Sequence, residues 1–547
     1  MPSPLAIRTR PAAAPGAANR PGRRRAVAPG LLATGLAAVA WAVGLHGTDT
    51  SAQVYRASLA ARHGLVVWAP GWYGGMYPLA YSAATPLLAA ALGVGATGVL
   101  AAGVAAGTFA SLVRPRLPAA AWWFAVSTLI AVGVGQLPYL CGEAAGLISL
   151  WLALPAPPAA GRMAAGRMAP GRMAAGRVAG AAVAGVVTAL LSPLAAAFLV
   201  LAAGVVAVRR PPAGRAGLVA SAAGAALPIG VTGLAFPGDG PFPFAWGGLA
   251  VVEALCVLVA VRFPGRLRWG AVAYGVATLA SFLVANPLGG NATRLAESAG
   301  IPLVVGAAWT AQGRRRAAAL AALVPFVVWQ WGPATALVTR WTQPPSDTAG
   351  FYRPLTAAVA ARSGGAVVRV EVVPTRDHWE SAFVPSARLV LARGWERQLD
   401  VARNPVFYQR GALSAGAYLA WLRATGTSFV ALPRAPLDTA GRAEALLLRR
   451  RLPGLVPVWE SPAWELWRVG ASPGLASGGA RVTALGADRV VVAVLHPGAA
   501  LLRVRWTPYW ELSGAGGHAG LSPAAGGWTE LHSTRAGTVV LGVAFPG

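Results

Sequence analysis

From residue 26 to residue 335 the chain repeats one pattern: a long apolar run, then a short break rich in Arg, Gly and Pro. The runs fall at 26–45, 79–113, 117–135, 138–155, 178–208, 216–236, 246–262, 270–286, 299–313 and 317–335. Most approach the roughly 20 residues that a helix needs to cross a bilayer. Beyond residue 345 the runs shorten. Val367 to Val373 reads as a strand, GAYLAWLRATG as a helix, SFVALP as a strand and AGRAEALLLRRRL as a helix, followed by the strands VPVWES and AWELWRV. That alternation predicts an α/β unit over 345–470. From 478 to 547, short runs such as ARVTAL and DRVVVAVLH, punctuated by Gly and Pro, predict an antiparallel β module.

Arginine placement converts the runs into a topology. Arg23, Arg24 and Arg25 put a Pro/Ala/Arg-rich and disordered tail, 1–25, in the cytoplasm, and so the loop 46–78 outside. Arg114 and Arg116 belong inside, so 79–113 crosses once: 79–93 as a shallow or broken helix at the outer face, 96–113 as the span. Ser192-Pro193 breaks 178–208 into a hairpin of two short helices, because proline cannot continue the hydrogen-bond ladder. The repeat GRMAAGRMAPGRMAAGR in the inner loop 156–177 reads as a solvated basic linker. The fold class expected is a polytopic α-helical membrane protein, with about eleven crossings in a domain over 26–340. The α/β domain and the β module would lie outside a plasma membrane.

Composition agrees: 547 residues, 56% hydrophobic and only 12% charged, with a net charge of +28. Every one of the 46 basic residues is arginine, and much of the excess lies in short loops, where it sets topology rather than pointing to nucleic acid. The two cysteines, Cys141 and Cys256, each sit inside an apolar run, so neither a disulfide framework nor a zinc spacing is present. No phosphate-binding glycine loop stands between a strand and a helix, and no cofactor or metal is signalled.

The acids before residue 340 are Asp49, Glu143, Asp239, Glu253 and Glu297. Asp49 is the first, in a loop where an ionisable group beside aromatics points to function. Thr48-Asp49-Thr50-Ser51 also reads as a helix N-cap, so both roles stand. Arg294 either grips a phosphate through two parallel hydrogen bonds, pairs with Glu297 or snorkels to lipid headgroups. His63, Trp68, Trp72, Tyr73 and Tyr77 are candidates for substrate contact, or for an interfacial belt. Glu143 and Glu297 are further candidates, and Glu253 reads as either paired within the bundle or protonated. The stretches RDHWESAFV, LARGWERQLDVARNPVFY and YLAWLRATGTSFVALP are dense in charge and aromatics. They suit either a domain packed on the helices or acceptor binding.

Three features resemble membrane glycosyltransferases of the GT-C type found in actinobacterial envelopes. One is the first outer loop, with Asp49, Trp68 and the run Gly74-Gly75-Met76-Tyr77-Pro78. The second is Gly135-Gln136-Leu137-Pro138-Tyr139 with Gly142. The third is Leu191-Ser192-Pro193-Leu194. The last module is similar to the β tails of YfhO-like membrane proteins. The resemblance implies a polyprenyl-phosphate-sugar donor entering from membrane lipid and an envelope glycan, lipid or protein as acceptor. It implies Asp49 as general base and Arg294 with Arg56 at the leaving phosphate, with inversion at the anomeric carbon. Asp49 has no second acid in its loop, unlike better-known members. Two other classes compete: a transporter or flippase of envelope lipids, and a non-catalytic assembly protein.

Overall fold

The structure, a computed structural model, describes residues 21–113, 116–154, 170–208, 210–236, 240–339, 344–514 and 517–543. The tail before residue 21, most of the arginine repeat, Arg114 and Asp239 lie outside the described residues.

Fourteen α-helices are described in the first part of the chain. They begin with α1 (Pro21–Ala42), α2 (Thr50–His63), α3 (Pro78–Tyr81), α4 (Thr85–Leu92) and α5 (Val94–Val113). Then come α6 (Pro118–Val134), α7 (Leu137–Ala153), α8 (Pro170–Leu191), α9 (Pro193–Val208) and α10 (Ala216–Ala235). The series closes with α11 (Trp246–Arg262), α12 (Arg266–Leu283), α13 (Ile301–Trp309) and α14 (Gly313–Thr339). Among the described residues, three stretches are long and apolar enough to cross a membrane: Val94–Val113, Ala216–Ala235 and Gly313–Thr335. Others, including Pro118–Val134 and Leu137–Ala153, are apolar but only 10–17 residues long. Helix lengths therefore do not by themselves establish eleven crossings.

The run 79–113 is divided at Ser82 and Gly93, and 178–208 at Ser192. The second break is held from outside. Ala83 and Ala84 donate their N–H groups to the carbonyl of Leu190, and the hydroxyls of Ser82 and Thr85 donate to that of Leu191. The carbonyls of Leu190 and Leu191, left open where the helix breaks, are thus satisfied, as an apolar setting requires. The alanine and glycine excess has a mechanical use here. A β-carbon on Gly30 of α1 would stand 2.9 Å from the carbonyl oxygen of Gly103 on α5, so small residues let the two backbones touch.

The C-terminal part opens with α15 (Ala349–Arg362) and a five-stranded mixed sheet in the order β2-β1-β3-β5-β4. Its strands are β1 (Val368–Val372), β2 (Leu389–Leu391), β3 (Thr427–Pro433), β4 (Leu455–Glu460) and β5 (Trp464–Val469). Between them lie α16 (Glu380–Phe383), α17 (Arg397–Arg403), α18 (Ala415–Ala424) and α19 (Thr439–Leu448). The first three strands pair in parallel, and β5 runs antiparallel to β3 and β4. Two antiparallel four-stranded sheets follow, built from segments between Ala476 and Val543.

The loop 46–78 is built into this C-terminal part. Trp68, Trp72 and Tyr73 are at most 2% exposed and belong to its hydrophobic cores. The Trp72 indole donates to the carbonyl of Ser381 at 2.9 Å, and the Tyr73 hydroxyl to that of Glu396 at 2.8 Å. Leu391 in β2 donates its N–H to the carbonyl of Gly71.

Candidate functional site

Where the helices meet the C-terminal part there is a cavity of about 300 Å³. Its helical side carries Asp49, Tyr81, Tyr139, Asn291 and Arg294, with the broken turn Ser192-Pro193-Leu194. Its other side carries His378, Trp395, Arg397, Gln398 and Asp438.

Asp49 is held by its backbone. Its N–H donates to the carbonyl of Val134, at the end of α6. The next turn passes so close that a β-carbon on Gly135, whose φ is +91°, would stand 2.5 Å from the nitrogen of Thr50. From the other direction the Trp395 indole donates to the carbonyl of Thr48 at 2.9 Å. Asp49 occupies the N-cap position of α2, yet its side chain caps nothing. The carboxylate faces the cavity instead, where Arg294 Nη2 stands 3.7 Å from Oδ2. Burial pushes its pKa up. Arg294, the Thr48 hydroxyl, His378 and Arg56 act in the opposite direction.

Arg294 follows a turn that Asn286 organises by accepting the N–H groups of Leu288 and Gly289. Its guanidinium lies 5.8 Å from the centre of the Tyr139 ring. Glu297 instead accepts a hydrogen bond from Thr293, so Asp49, not Glu297, is the ion-pair partner of Arg294 among the described residues. Glu253 accepts from Thr278 on the neighbouring helix.

Tyr139 also belongs to a second hollow, an apolar groove of about 400 Å³ between α5, α7, α9, α11, α12 and α13. Glu143, Phe198 and Tyr274 line it with many aliphatic side chains. A polar chamber and an apolar groove thus share one tyrosine wall.

The remaining sequence candidates do not line the polar cavity. Arg56 is ion-paired with Glu396 and stacked on Tyr81, its guanidinium 4.0 Å from that ring's centre, behind the cavity wall. Trp68, Trp72 and Tyr73 fill cores, as described above. Tyr77 donates to Thr507 and meets Phe236 at a tilt, with ring centres 5.4 Å apart, and His63 is exposed at the end of α2.

On the C-terminal side, His378 has a φ of 57°, in the left-handed region that residues with a β-carbon seldom enter. Its Nδ1 lies 3.2 Å from Glu380 and its Nε2 3.6 Å from Asp438. Burial works against its charge, but hydrogen bonding to Asp438 and Glu380 outweighs this and raises its pKa to about 9. Asp438 also binds Arg397 at 2.9 Å and caps α19 through the N–H of Ala440. These residues lie in the charged, aromatic stretches 376–384 and 391–408 and around 438. Their density was the only signal, and nothing in the spacing singled out His378.

No protein-family model matches the chain, nor does any curated protein. Among the described residues no group of three or more His, Cys, Asp or Glu side chains is assembled to hold a metal ion.

Proposed function

We propose that this chain is a polytopic membrane glycosyltransferase. It transfers a sugar from a polyprenyl-phosphate donor to an acceptor of the cell envelope, with inversion. One observation carries the reading: Asp49 and Arg294, far apart in sequence, share a polar cavity whose Tyr139 wall also borders an apolar groove. A lipid-borne sugar phosphate has that same division, a polar head on an apolar tail.

In this reading the lipid tail lies in the groove and the sugar in the cavity. Asp49 takes the proton of the acceptor hydroxyl, whose oxygen bonds to the anomeric carbon. The bond from that carbon to the phosphate oxygen breaks, and the lipid phosphate departs with its electron pair toward Arg294. Tyr81, Tyr139 and Trp395 offer ring faces to the sugar, and Asn291 and Gln398 offer amides. The topology is the one the arginines indicate: N-terminus in the cytoplasm, about eleven crossings of the plasma membrane, and the C-terminal part outside.

The test uses the full chain in nanodiscs with a panel of labelled polyprenyl-phosphate sugars and envelope fractions as acceptors. Asp49→Asn is expected to bind donor and transfer nothing, and Arg294→Ala to bind donor weakly. Transfer at the unmodified rate by Asp49→Asn overturns the proposal.

A further inference from the structure

Where the first loop, the α/β domain and the β module meet, two arginines crowd one indole with no carboxylate to match them. Arg369 of β1 is 2% exposed. Its guanidinium donates only to backbone carbonyls, those of Thr425 and Arg503, and its Nε has no partner among the described residues. Arg505 ends the strand Gly498–Arg505 and is half-buried. Its Nε donates to the carbonyl of Tyr73 at 3.1 Å, and its Nη1 to that of Gly526. Among the described residues neither arginine is ion-paired, and Nη2 of Arg505 donates to nothing. Both guanidinium groups lie against Trp528, 5.4 and 4.1 Å from its ring centre. The first loop closes the seam from behind: a β-carbon on Gly74 would stand 2.7 Å from Trp528 and 3.0 Å from Arg369.

Carbonyls satisfy donors but carry no net charge. A buried ion is ordinarily paired, and tying down a loop needs donors, not two surplus charges on one ring. Burial and the guanidinium groups alongside work against both charges and draw their pKa values down. An anion at the seam offsets that cost. Its way in is the turn Ala525–Gly527, where Gly526 and Gly527 are exposed. A β-carbon on Gly527 would stand 3.1 Å from Nη1 of Arg505. A ligand arriving past this turn meets a guanidinium already oriented by two carbonyls and a ring, which lowers the cost of binding. The two N–H groups of Nη2 remain for an oxyanion.

We propose that this seam is a subsite for an anionic group, a phosphate or a carboxylate, borne by the acceptor, with Arg505 as the residue that grips it. Naming the acceptor as the carrier of that group rests on the glycosyltransferase reading. Helix α17 joins the subsite to the polar cavity. Arg397 at its start lines the cavity, and Arg403 at its end donates to the carbonyl of Gly75, in the same loop that Arg505 holds at Tyr73. Six residues of helix separate the two arginines by about 9 Å along the axis. An acceptor whose hydroxyl stands at Asp49 can thus lay a charged group farther along its chain on Arg505.

The experiment titrates the full chain, in phosphatidylcholine nanodiscs, with poly(glycerol phosphate), polygalacturonate and uncharged dextran. Either charged polymer is expected to bind more tightly than dextran, and less tightly as salt is raised. Tight binding of the first alone assigns the site to phosphate, of the second alone to carboxylate, and of both to charge without regard to shape. Gly527→Asp sets a carboxylate beside Arg505, and Gly527→Asn sets the same shape there without charge. Both residues tolerate the φ of +73° at this position. Gly527→Asp should bind the charged polymer about tenfold more weakly, the order of one charge-assisted hydrogen bond. Gly527→Asn should bind as wild type does, and Arg505→Gln should lose as much as Gly527→Asp. The Gly527 pair, on an exposed turn, decides the matter even where Arg505→Gln does not fold. No preference for a charged polymer over dextran overturns the proposal, and so does equal binding by Gly527→Asp and Gly527→Asn. In transfer to an anionic acceptor, Gly527→Asp should raise the acceptor KM and leave kcat and the donor KM unchanged. Charge-dependent binding by a chain that transfers no sugar refutes the glycosyltransferase reading and leaves the subsite standing.

Discussion

The indole of Trp395 donates its N–H to the carbonyl of Thr48 at 2.9 Å, tying the C-terminal part to the residue that precedes Asp49. The Trp395 ring also meets Tyr81 edge to face at 5.8 Å. The cavity is therefore clamped at its acid. A catalytic group held from two sides depends on both, and a displacement of about 1 Å can lower a rate by about a hundredfold. Trp395→Phe keeps a ring against Tyr81 and removes only the N–H. We expect sugar transfer to fall about tenfold or more, with donor binding little changed. Initial rates against equilibrium binding of a labelled donor check this.

Asp49 carries a testable stability cost. Burial raises its pKa in the folded chain, whereas an unfolded aspartate titrates near 3.9. A carboxyl raised on folding favours the folded state below its unfolded pKa, and that contribution is lost as pH rises through the folded value. At neutral pH the charge is held against its surroundings. Asp49→Asn should therefore unfold at a higher temperature than wild type at pH 7 to 8, and the gap should close toward pH 4. Thermal unfolding across that range reads the sign directly. Equal temperatures at both pH values would show that Arg294 compensates the charge fully.

The element pattern was largely legible because it follows from hydrophobic period and breakers. The division at Ser192-Pro193 coincides with the junction of α8 and α9, and the one anticipated near residue 93 with Gly93 between α4 and α5. The strand at Val367–Val373 contains β1, whereas β2, three residues long, is too short to leave a period. Asp49 and Arg294 could be picked out because acids are scarce before residue 340. Their 3.7 Å approach could not, since Asp49 is placed by the contact of the start of α2 with the α6–α7 turn, where its N–H meets Val134 and Thr50 meets Gly135. The aromatics of the first loop misled for a physical reason. Trp68, Trp72 and Tyr73 look the same in sequence whether they face a sugar, a membrane interface or a core, and only their partners in the C-terminal part decide.

Trp72 separates the core role from a substrate role. It is fully buried, stacks on Tyr55 with ring centres 4.3 Å apart, and lies against Gly394, where a β-carbon would stand 2.6 Å from its ring. Truncating a buried tryptophan costs about 3–5 kcal/mol. Trp72→Ala should loosen the attachment of the first loop to the C-terminal part. We expect a lower unfolding temperature and faster proteolysis within 46–78. A variant that retains wild-type stability and shows only a raised donor KM would return Trp72 to the substrate.

The apolar groove offers a test that leaves the polar cavity untouched. Ala271 on α12 is one of its lining residues, and Asp49 and Arg294 are not among them. A larger side chain there takes the space of a lipid tail. Each CH₂ kept from burial forfeits about 0.8 kcal/mol, and about 1.4 kcal/mol is tenfold in affinity. Ala271→Trp should thus raise the KM of a long-chain polyprenyl-phosphate sugar by about tenfold or more. A donor of one or two isoprene units, which leaves most of the groove empty, should be used as well as before. Parallel kinetics with the two donors decide the matter. A KM unchanged for the long chain places the tail elsewhere, and an equal rise for both points to a collapse of the helices around the shared Tyr139 wall.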